Sequence, residues 1–501
     1  MTLDYTAPCL HDAPAALCVI AWPQMQRRSF LATSAAAAVA CSSPKRPPNV
    51  VFILTDDQRW DCLSAAGHPF LKTPHLDRIA AEGVRFANAF TTTSLCSPSR
   101  AGFMSGQYAH THGVLNNFTE YPASLASFPA VLQRAGYESA YIGKWHMGEN
   151  NDERRPGFDY WVSHKGQGKY NDTEFNINGK REVVKGYYTH VVTDFAVEFL
   201  KKPRNKPFAL CLGQKAPHGV WIPEPKYEHA FDDVEVRKPP TAYETGPLTP
   251  AFVSERVKTW HGIDGNLYGL NDYGKFIRTY HATILSVDDA VGRIYDTLRQ
   301  TGELDNTILV FAGDNGFLLG EHSSIDKRTM WEESIRIPLL IRYPEAIHTP
   351  RVAEEMALNI DVAPSILDLA GASPMPSAHG RSFRPILEGR ETPWRTSWLY
   401  EYNFESEFPY TPNVRGVRTD TWKYIHYPNG DGSPDTYLAE LYNLKEDPLE
   451  RRNLIRDSAS QPRLNELRGE LARLQKESGA LPDQMPQRPR LRMELPDARI
   501  R

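Results

Sequence analysis

Three short stretches carry most of the chemistry that this sequence could perform. Asp56-Asp57 and Asp314-Asn315 each set adjacent oxygen donors at one point of the chain. Carboxylate and amide oxygens suit a hard divalent cation, and converging carboxylates are costly unless a cation sits among them. Either pair alone also reads as a turn. The third stretch, Leu95-Cys96-Ser97-Pro98-Ser99-Arg100, holds a cysteine among polar neighbours, as at a solvent-facing position. Lys144-Trp145-His146 and His218 add groups that can bind an anion or move a proton.

The cysteine count sharpens interest in Cys96. Of six cysteines, Cys9, Cys18 and Cys41 lie near the N-terminus, leaving Cys62, Cys96 and Cys211 in the body. That is too few for a disulfide framework.

The elements around these groups read as an α/β fold. Asn49–Leu54 is a continuous apolar run, suited to a strand buried on both faces, and it ends in Thr55-Asp56-Asp57. Thr73-Pro74 starts a helix that Gly83 stops, with Thr73 as the expected N-cap. Helical stretches at 131–135, 191–200 and 276–298 then alternate with strands at 137–142, 208–212, 307–312 and 337–341. Such alternation predicts a mainly parallel sheet flanked by helices, with ligands bound beyond the strand C-terminal ends. Asp56-Asp57, Lys144, His146, His218 and Asp314-Asn315 all fall at such ends, and a helix is expected to start near Ser97.

After about residue 390 the pattern changes. Residues 397–404 and 414–427 read as antiparallel strands, and Leu464, Leu467, Leu471 and Leu474 share one face of a helix. The expected organisation is an extension, signal and linker over 1–48, a catalytic domain over 49–390, a smaller α+β subdomain over 391–480, and a Pro- and Arg-rich disordered tail over 481–501.

With 24% charged and 41% hydrophobic residues and a net charge of -4, the 501-residue chain has an ordinary globular composition and no nucleic-acid motif. Near the N-terminus, Met25-Gln26-Arg27-Arg28 precedes a short apolar run, the pattern of a twin-arginine export signal opening at Met25. The run is too short to span a bilayer permanently. Ala38-Val39-Ala40-Cys41 resembles a lipobox, so Cys41 is the expected lipidation and membrane-attachment site. The implied location is the periplasm or the outer membrane.

Several motifs in order resemble the type I sulfatases of the alkaline phosphatase superfamily: Thr55-Asp56-Asp57-Gln58, Cys96 to Arg100, Gly143-Lys144-Trp145-His146, Ala216-Pro217-His218, Gly313-Asp314-Asn315-Gly316, Gly320-Glu321-His322, Lys327 and Leu441-Tyr442-Asn443-Leu444. The resemblance runs from about Asn49 to Leu454. It implies a hydrolase of sulfate esters in which a formylglycine-generating enzyme oxidises Cys96 to formylglycine. One hydroxyl of the aldehyde hydrate would attack sulfur to give a covalent sulfate intermediate, and the other would release it. The resemblance further implies one Ca²⁺ on Asp56, Asp57, Asp314, Asn315 and residue 96. Arg100 would hold residue 96 and the carboxylates, and His146 would take a proton beside Lys144, which lowers its pKa and binds charge. His218, as general acid, and Lys327 would contact sulfate and leaving oxygen. Glu321-His322 is a family landmark with no catalytic role assigned.

The stretches His68 to Pro74, Glu401 to Phe404, Phe408 to Pro412, Val417 to Asp420 and Lys423 to Ile425 look like N-acetylglucosamine-6-sulfatases and related bacterial glycan sulfatases. The implied substrate is a sulfated sugar, with 6-O-sulfated N-acetylglucosamine preferred. Two alternatives stay open: a phosphonate monoester or phosphodiester hydrolase of the same superfamily, and an inactive glycan-binding protein.

Overall fold

The computed structural model describes residues 46–405, 408, 411–428, 430 and 438–480. The export signal, Cys41 and the tail beyond residue 480 lie outside the described residues, as do Pro409 and Tyr410.

The strand Asn49–Thr55 is buried along its whole length, because both its faces are covered. Val50, Phe52 and Leu54 join one hydrophobic cluster and Val51 and Ile53 another. This strand is central in a ten-stranded sheet, paired in parallel with Phe208–Gly213 on one side and Thr307–Gly313 on the other. Glu138–Gly143 continues the parallel run beside Phe208–Gly213. Leu339–Arg342 pairs antiparallel with Thr307–Gly313. Asn171–Ile177 and Lys180–Tyr187 extend the opposite edge as an antiparallel hairpin. This hairpin has no apolar alternation to announce it, because Lys180–Tyr187 is almost wholly exposed and lacks an apolar face.

Helices cover both faces of the sheet. Tyr188–Lys201 and Tyr273–Gln300 pack on the side of Val51 and Ile53, while Cys96–Ser105, Phe128–Arg134 and Val362–Leu369 cover the side of Val50 and Phe52. The helix Pro74–Glu82 forms as expected, but Thr73 makes no capping bond to its backbone. Its hydroxyl instead bonds Ser64 and reaches Asp77.

A second, four-stranded antiparallel sheet comprises Ser397–Tyr402, Val414–Thr419, Trp422–His426 and Glu440–Asn443. Helix Gln461–Ser478 lays Leu464, Leu467 and Leu471 into the same cluster, which also takes in Phe90, Leu95 and Trp331 of the larger part. The small sheet therefore shares its core with the segment that leads into the Cys96 helix.

Candidate active site

Register brings the two oxygen-donor pairs together. Thr55 lies opposite Gly313, so Asp56-Asp57 and Asp314-Asn315 leave neighbouring parallel strands at the same level. Asp57 N–H donates to Asp314 Oδ1 at 3.0 Å, and Asn315 Nδ2 donates to Asp57 Oδ1 at 2.7 Å. One oxygen each of Asp56, Asp57 and Asp314 lies within 4.8 Å of the others. Asn315 Oδ1 is buried without a hydrogen-bond partner.

Lys144 follows the next parallel strand, and its backbone N–H donates to Gly213 O at 2.9 Å. A Cβ at Gly213 would fall 2.4 Å from Lys144 O, so the close approach requires glycine. Lys144 Nζ ion-pairs with Asp56 and bonds Gln167. Arg100 Nε donates to Asp314 Oδ2 at 3.0 Å, its Nη1 to Lys144 O at 2.8 Å, and its Nη2 lies 3.5 Å from Asp56. Lys327 Nζ pairs with Asp57 and stands 3.0 Å from Cys96 Sγ. Three carboxylates thus meet three protein cations.

Cys96 is the first residue of helix Cys96–Ser105, the end at which backbone N–H groups and the helix dipole favour an anion. Its Sγ is 3.5 Å from Asp56 Oδ1. The expectation of a solvent-facing cysteine is corrected here: Cys96 is 0% exposed. The polar neighbours that suggested exposure are themselves buried, because they pair with one another. Ser97 Oγ donates to His146 O, Ser99 Oγ to Asp314 O, and Arg100 binds the carboxylates.

Burial and the charge of Asp56, against Arg100, push the Asp314 carboxyl up to about 7. Burial raises Asp57 as well, though Lys327 opposes it. Burial also acts against ionised Asp56, yet Lys144, Arg100 and Lys327 hold it well below the usual carboxylate range. Burial, followed by Asp56, pushes the Cys96 thiol up, so the free thiol is protonated.

The histidines differ from each other. Burial and then Lys144 bring His146 down to about 4. His146 Nε2 lies 2.8 Å from Glu149 Oε1 and 3.1 Å from Gln167 Nε2, and with the ring proton on Nε2 toward the Glu149 carboxylate, the buried, unpartnered Nδ1 is the free base. Burial and then Lys144 also hold His218 well below its ordinary value. Its Nδ1 donates to Gly219 O at 2.5 Å, and Nε2 faces Asp57 Oδ2 at 3.8 Å. In the free protein His218 is therefore neutral, whereas Asp57 and Asp56 keep Lys327 protonated against its burial.

Asp56, Asp57, Cys96, Arg100, Lys144, His146, His218, Asp314, Asn315 and Lys327 come together at the strand ends. Sequence reasoning missed Glu149, Gln167 and Lys215. Lys215, buried and beside Lys144, is brought down to about 7. Its place three residues before His218 was the available signal. Trp260, Tyr268 and Arg328 also line the cleft mouth, and the subdomain adds Phe408. His68 and His112 lie elsewhere: His68 bonds His281, and His112 Nδ1 accepts from Val114 N–H. His110 bonds Glu401.

A sulfatase family model matches residues 48–372, and a model for the C-terminal part of N-sulphoglucosamine sulphohydrolase matches residues 320–477. The chain is 34% identical over 494 residues to an N-acetylglucosamine-6-O-sulfatase of Bacteroides thetaiotaomicron, covering 85% of this chain and 86% of that protein. It is 34% identical over 428 residues to human N-acetylglucosamine-6-sulfatase, covering 79% and 73%. A solved structure, of a protein in complex with its substrate D-glucosamine-2-N,6-O-disulfate, superposes with a TM-score of 0.78 at 32% identity, over 87% of this chain and 98% of that one.

Proposed function

The chain belongs to the sulfatase family and is a sulfuric ester hydrolase, and from that premise we propose three particulars. The substrate is a 6-O-sulfated N-acetylglucosamine or a close relative. Residue 96 works as formylglycine. Asp56, Asp57, Asp314 and Asn315 hold one Ca²⁺ beside it.

The observation that carries this reading is Cys96 at a helix N-terminus, 3.0 Å from Lys327 Nζ and 3.5 Å from Asp56. As cysteine the residue is a buried, protonated thiol and a poor nucleophile. The hydrated aldehyde supplies two hydroxyls on one carbon, one to attack sulfur and one to expel sulfate afterwards. The cation site fits its occupant: three clustered carboxylates, an amide oxygen without a partner, and all-oxygen donors suit Ca²⁺. When bound, the ion supplies positive charge against the sulfate oxygens.

The protein groups divide the remaining work. Lys327 and Lys144 offset the negative charge of the ester. His146 Nδ1 is free to accept a proton, with Glu149 holding the ring from the other side. His218 is neutral until an anion arrives, and the neighbouring negative charge then favours its protonated form, which can donate to the leaving oxygen. Arg100 ties Asp314 to the Lys144 backbone and keeps the strand ends in register. The relatives named as N-acetylglucosamine-6-sulfatases and the glucosamine disulfate complex support the sugar assignment.

A desulfation screen over defined 2-N-, 3-O-, 4-O- and 6-O-sulfated sugars tests the substrate. Fastest release from 6-O-sulfated N-acetylglucosamine is expected, and faster release from another position overturns that part. A parallel aryl sulfate and aryl phosphonate assay separates the phosphonate hydrolase alternative, and turnover of either substrate excludes a mere glycan binder.

Export through the twin-arginine route from Met25, with a lipid on Cys41, belongs to the same proposal. Arg27→Lys with Arg28→Lys should block export of a reporter fused to residues 25–48, and Cys41→Ala should release the protein from membranes. Normal export by the double variant removes the signal assignment. A formylglycine-generating enzyme acting on the Cys96 stretch is the partner required for maturation.

A further inference from the structure

Away from the catalytic cleft, five carboxylates are buried where the small sheet meets the larger part: Glu321, Glu332, Glu333, Glu440 and Glu450. Four of them have cationic or hydroxyl partners, although Glu450 Oε1 makes no aligned hydrogen bond. Arg59 pairs with Glu321, Arg418 and Lys423 with Glu332, and Lys423 with Glu450. Glu440 accepts from the hydroxyls of Tyr427 and Tyr442 and from Trp331 Nε1.

Glu333 is the exception. Its Oε2 is buried and has no hydrogen-bond partner. His322 Nε2 stands 4.0 Å away, beyond hydrogen-bonding range, and that nitrogen is also buried and unpartnered, in a ring that burial keeps neutral. His322 is 9% exposed and Glu333 8%. Two such groups left unpaired in the interior oppose folding until something binds them. Ligand atoms of His322, Glu333 and Glu450 all lie within 4.8 Å of one another. His322 and Glu450 line a cavity of about 400 Å³ that opens to solvent past Arg451 and Asn453.

We propose that His322, Glu333 and Glu450 form a second metal site, for a divalent transition ion of the zinc class, with a water from the cavity completing the shell. One imidazole nitrogen among two carboxylates distinguishes this donor set from the all-oxygen set of the catalytic site, and selects zinc over calcium. Closing the 4.0 Å separation of His322 and Glu333 to a tetrahedral edge of about 3.3 Å takes small side-chain shifts. Burial and the charges of Glu321 and Glu450 push Glu333 up to about 8, the strain that an added cation relieves.

The site has a structural consequence. Gly316, directly after Asn315, donates its N–H to Ser334 O at 2.9 Å, and a Cβ there would fall 2.1 Å from Glu333 O. The helix Glu332–Ile335 thus braces the turn that carries Asp314-Asn315. Glu450 comes from beyond the small sheet. A metal at this point links the subdomain to the catalytic turn.

The competing cluster is Cys62, His68 and His281. His68 Nδ1 accepts from Leu71 N–H, so its Nε2 donates to His281 Nε2, whose Nδ1 donates to Ile277 O. Those rings are already paired and need no ion.

The test uses the full-length protein, stripped of metal, reloaded with calcium and titrated with zinc alone. One zinc equivalent should bind without loss of calcium, and Tm should rise. His322→Ala and Glu333→Gln should each lose that equivalent and the rise in Tm. Cobalt(II) in place of zinc should show ligand-field bands without a thiolate charge-transfer band. The proposal is overturned if wild-type protein takes up no second equivalent, if either variant keeps it, or if a thiolate band shows that Cys62 is the ligand.

Discussion

Asp314 and Asp326 are both buried carboxylates close in sequence, and their surroundings are opposite. Asp326 is one carboxylate among three basic groups: Arg328 at 2.8 Å, His261 at 3.4 Å and Arg256 at 3.6 Å. Against burial, they hold its pKa well below the usual range. Asp314 shares Arg100 with Asp56 and stands beside Asp57, and its pKa is pushed up to about 7. The first arrangement is complete in itself and serves as scaffold for the cleft wall. The second sets Asp314 beside two further carboxylates and shares one guanidinium between it and Asp56, so negative charge crowds it.

The largest effect that would sharpen this contrast is at residue 96. Cys96→Ala should lower turnover by about 10⁴-fold or more, with unfolding in urea showing a folded chain. Cys96→Ser should be at or slightly above Ala, since serine lacks the second hydroxyl. Wild-type peptide over residue 96 should be about 18 Da lighter than the cysteine form in mass spectrometry. Equal turnover by unmodified and modified protein would break the mechanism.

Next comes Asp314→Ala, which should remove bound calcium, read by atomic emission, and cut activity by at least about 10²-fold. Asp326→Ala should do the reverse. It leaves Arg256 without its carboxylate and Arg328 with Glu405 alone, and should cost about 3–5 kcal/mol in chemical denaturation, while calcium content holds. If Asp326→Ala lost calcium and Asp314→Ala lost only stability, the two roles would be exchanged.

The smallest effect is on pH dependence. In metal-free protein, folded Asp314 keeps a proton that the unfolded chain has released, so its contribution makes stability fall as pH rises from about 4 to about 7. Asp326 acts with the opposite sign. Its contribution is full above about 4 and is lost as pH falls below that value. Saturating calcium should flatten the first limb and leave the second. Denaturant midpoints measured across this pH range, with and without calcium, read both.

What was legible in the sequence followed from strands with a single possible environment. Asn49–Thr55 is apolar on both faces, so it had to be central, and its polar C-terminal end had to be where ligands bind. The Asp, Lys, His and Cys groups were readable because they follow such strands or start a helix. Glu149, Gln167 and Lys215 were not, because their partners are fixed by loop geometry. Gln167 sits between Gly166 and Gly168, both at positive φ, and that conformation aims its side chain at Lys144. The burial of Cys96 was misread for a related reason: Ser97, Ser99 and Arg100 look like surface residues until their partners, more than forty positions away, are known.

The complete enclosure of Cys96 sets an order of events in the life of the molecule. No second protein can reach Sγ once the Cys96–Ser105 helix has docked under the strand ends. Any catalyst that alters this side chain must meet the chain while it is still extended, in a race with folding. Under the proposed formylglycine maturation, well-folded protein and competent protein are then separate quantities, set by synthesis rate and by the supply of the modifying enzyme. A molecule that folds too early stays inert for its lifetime, and only unfolding gives it a second chance.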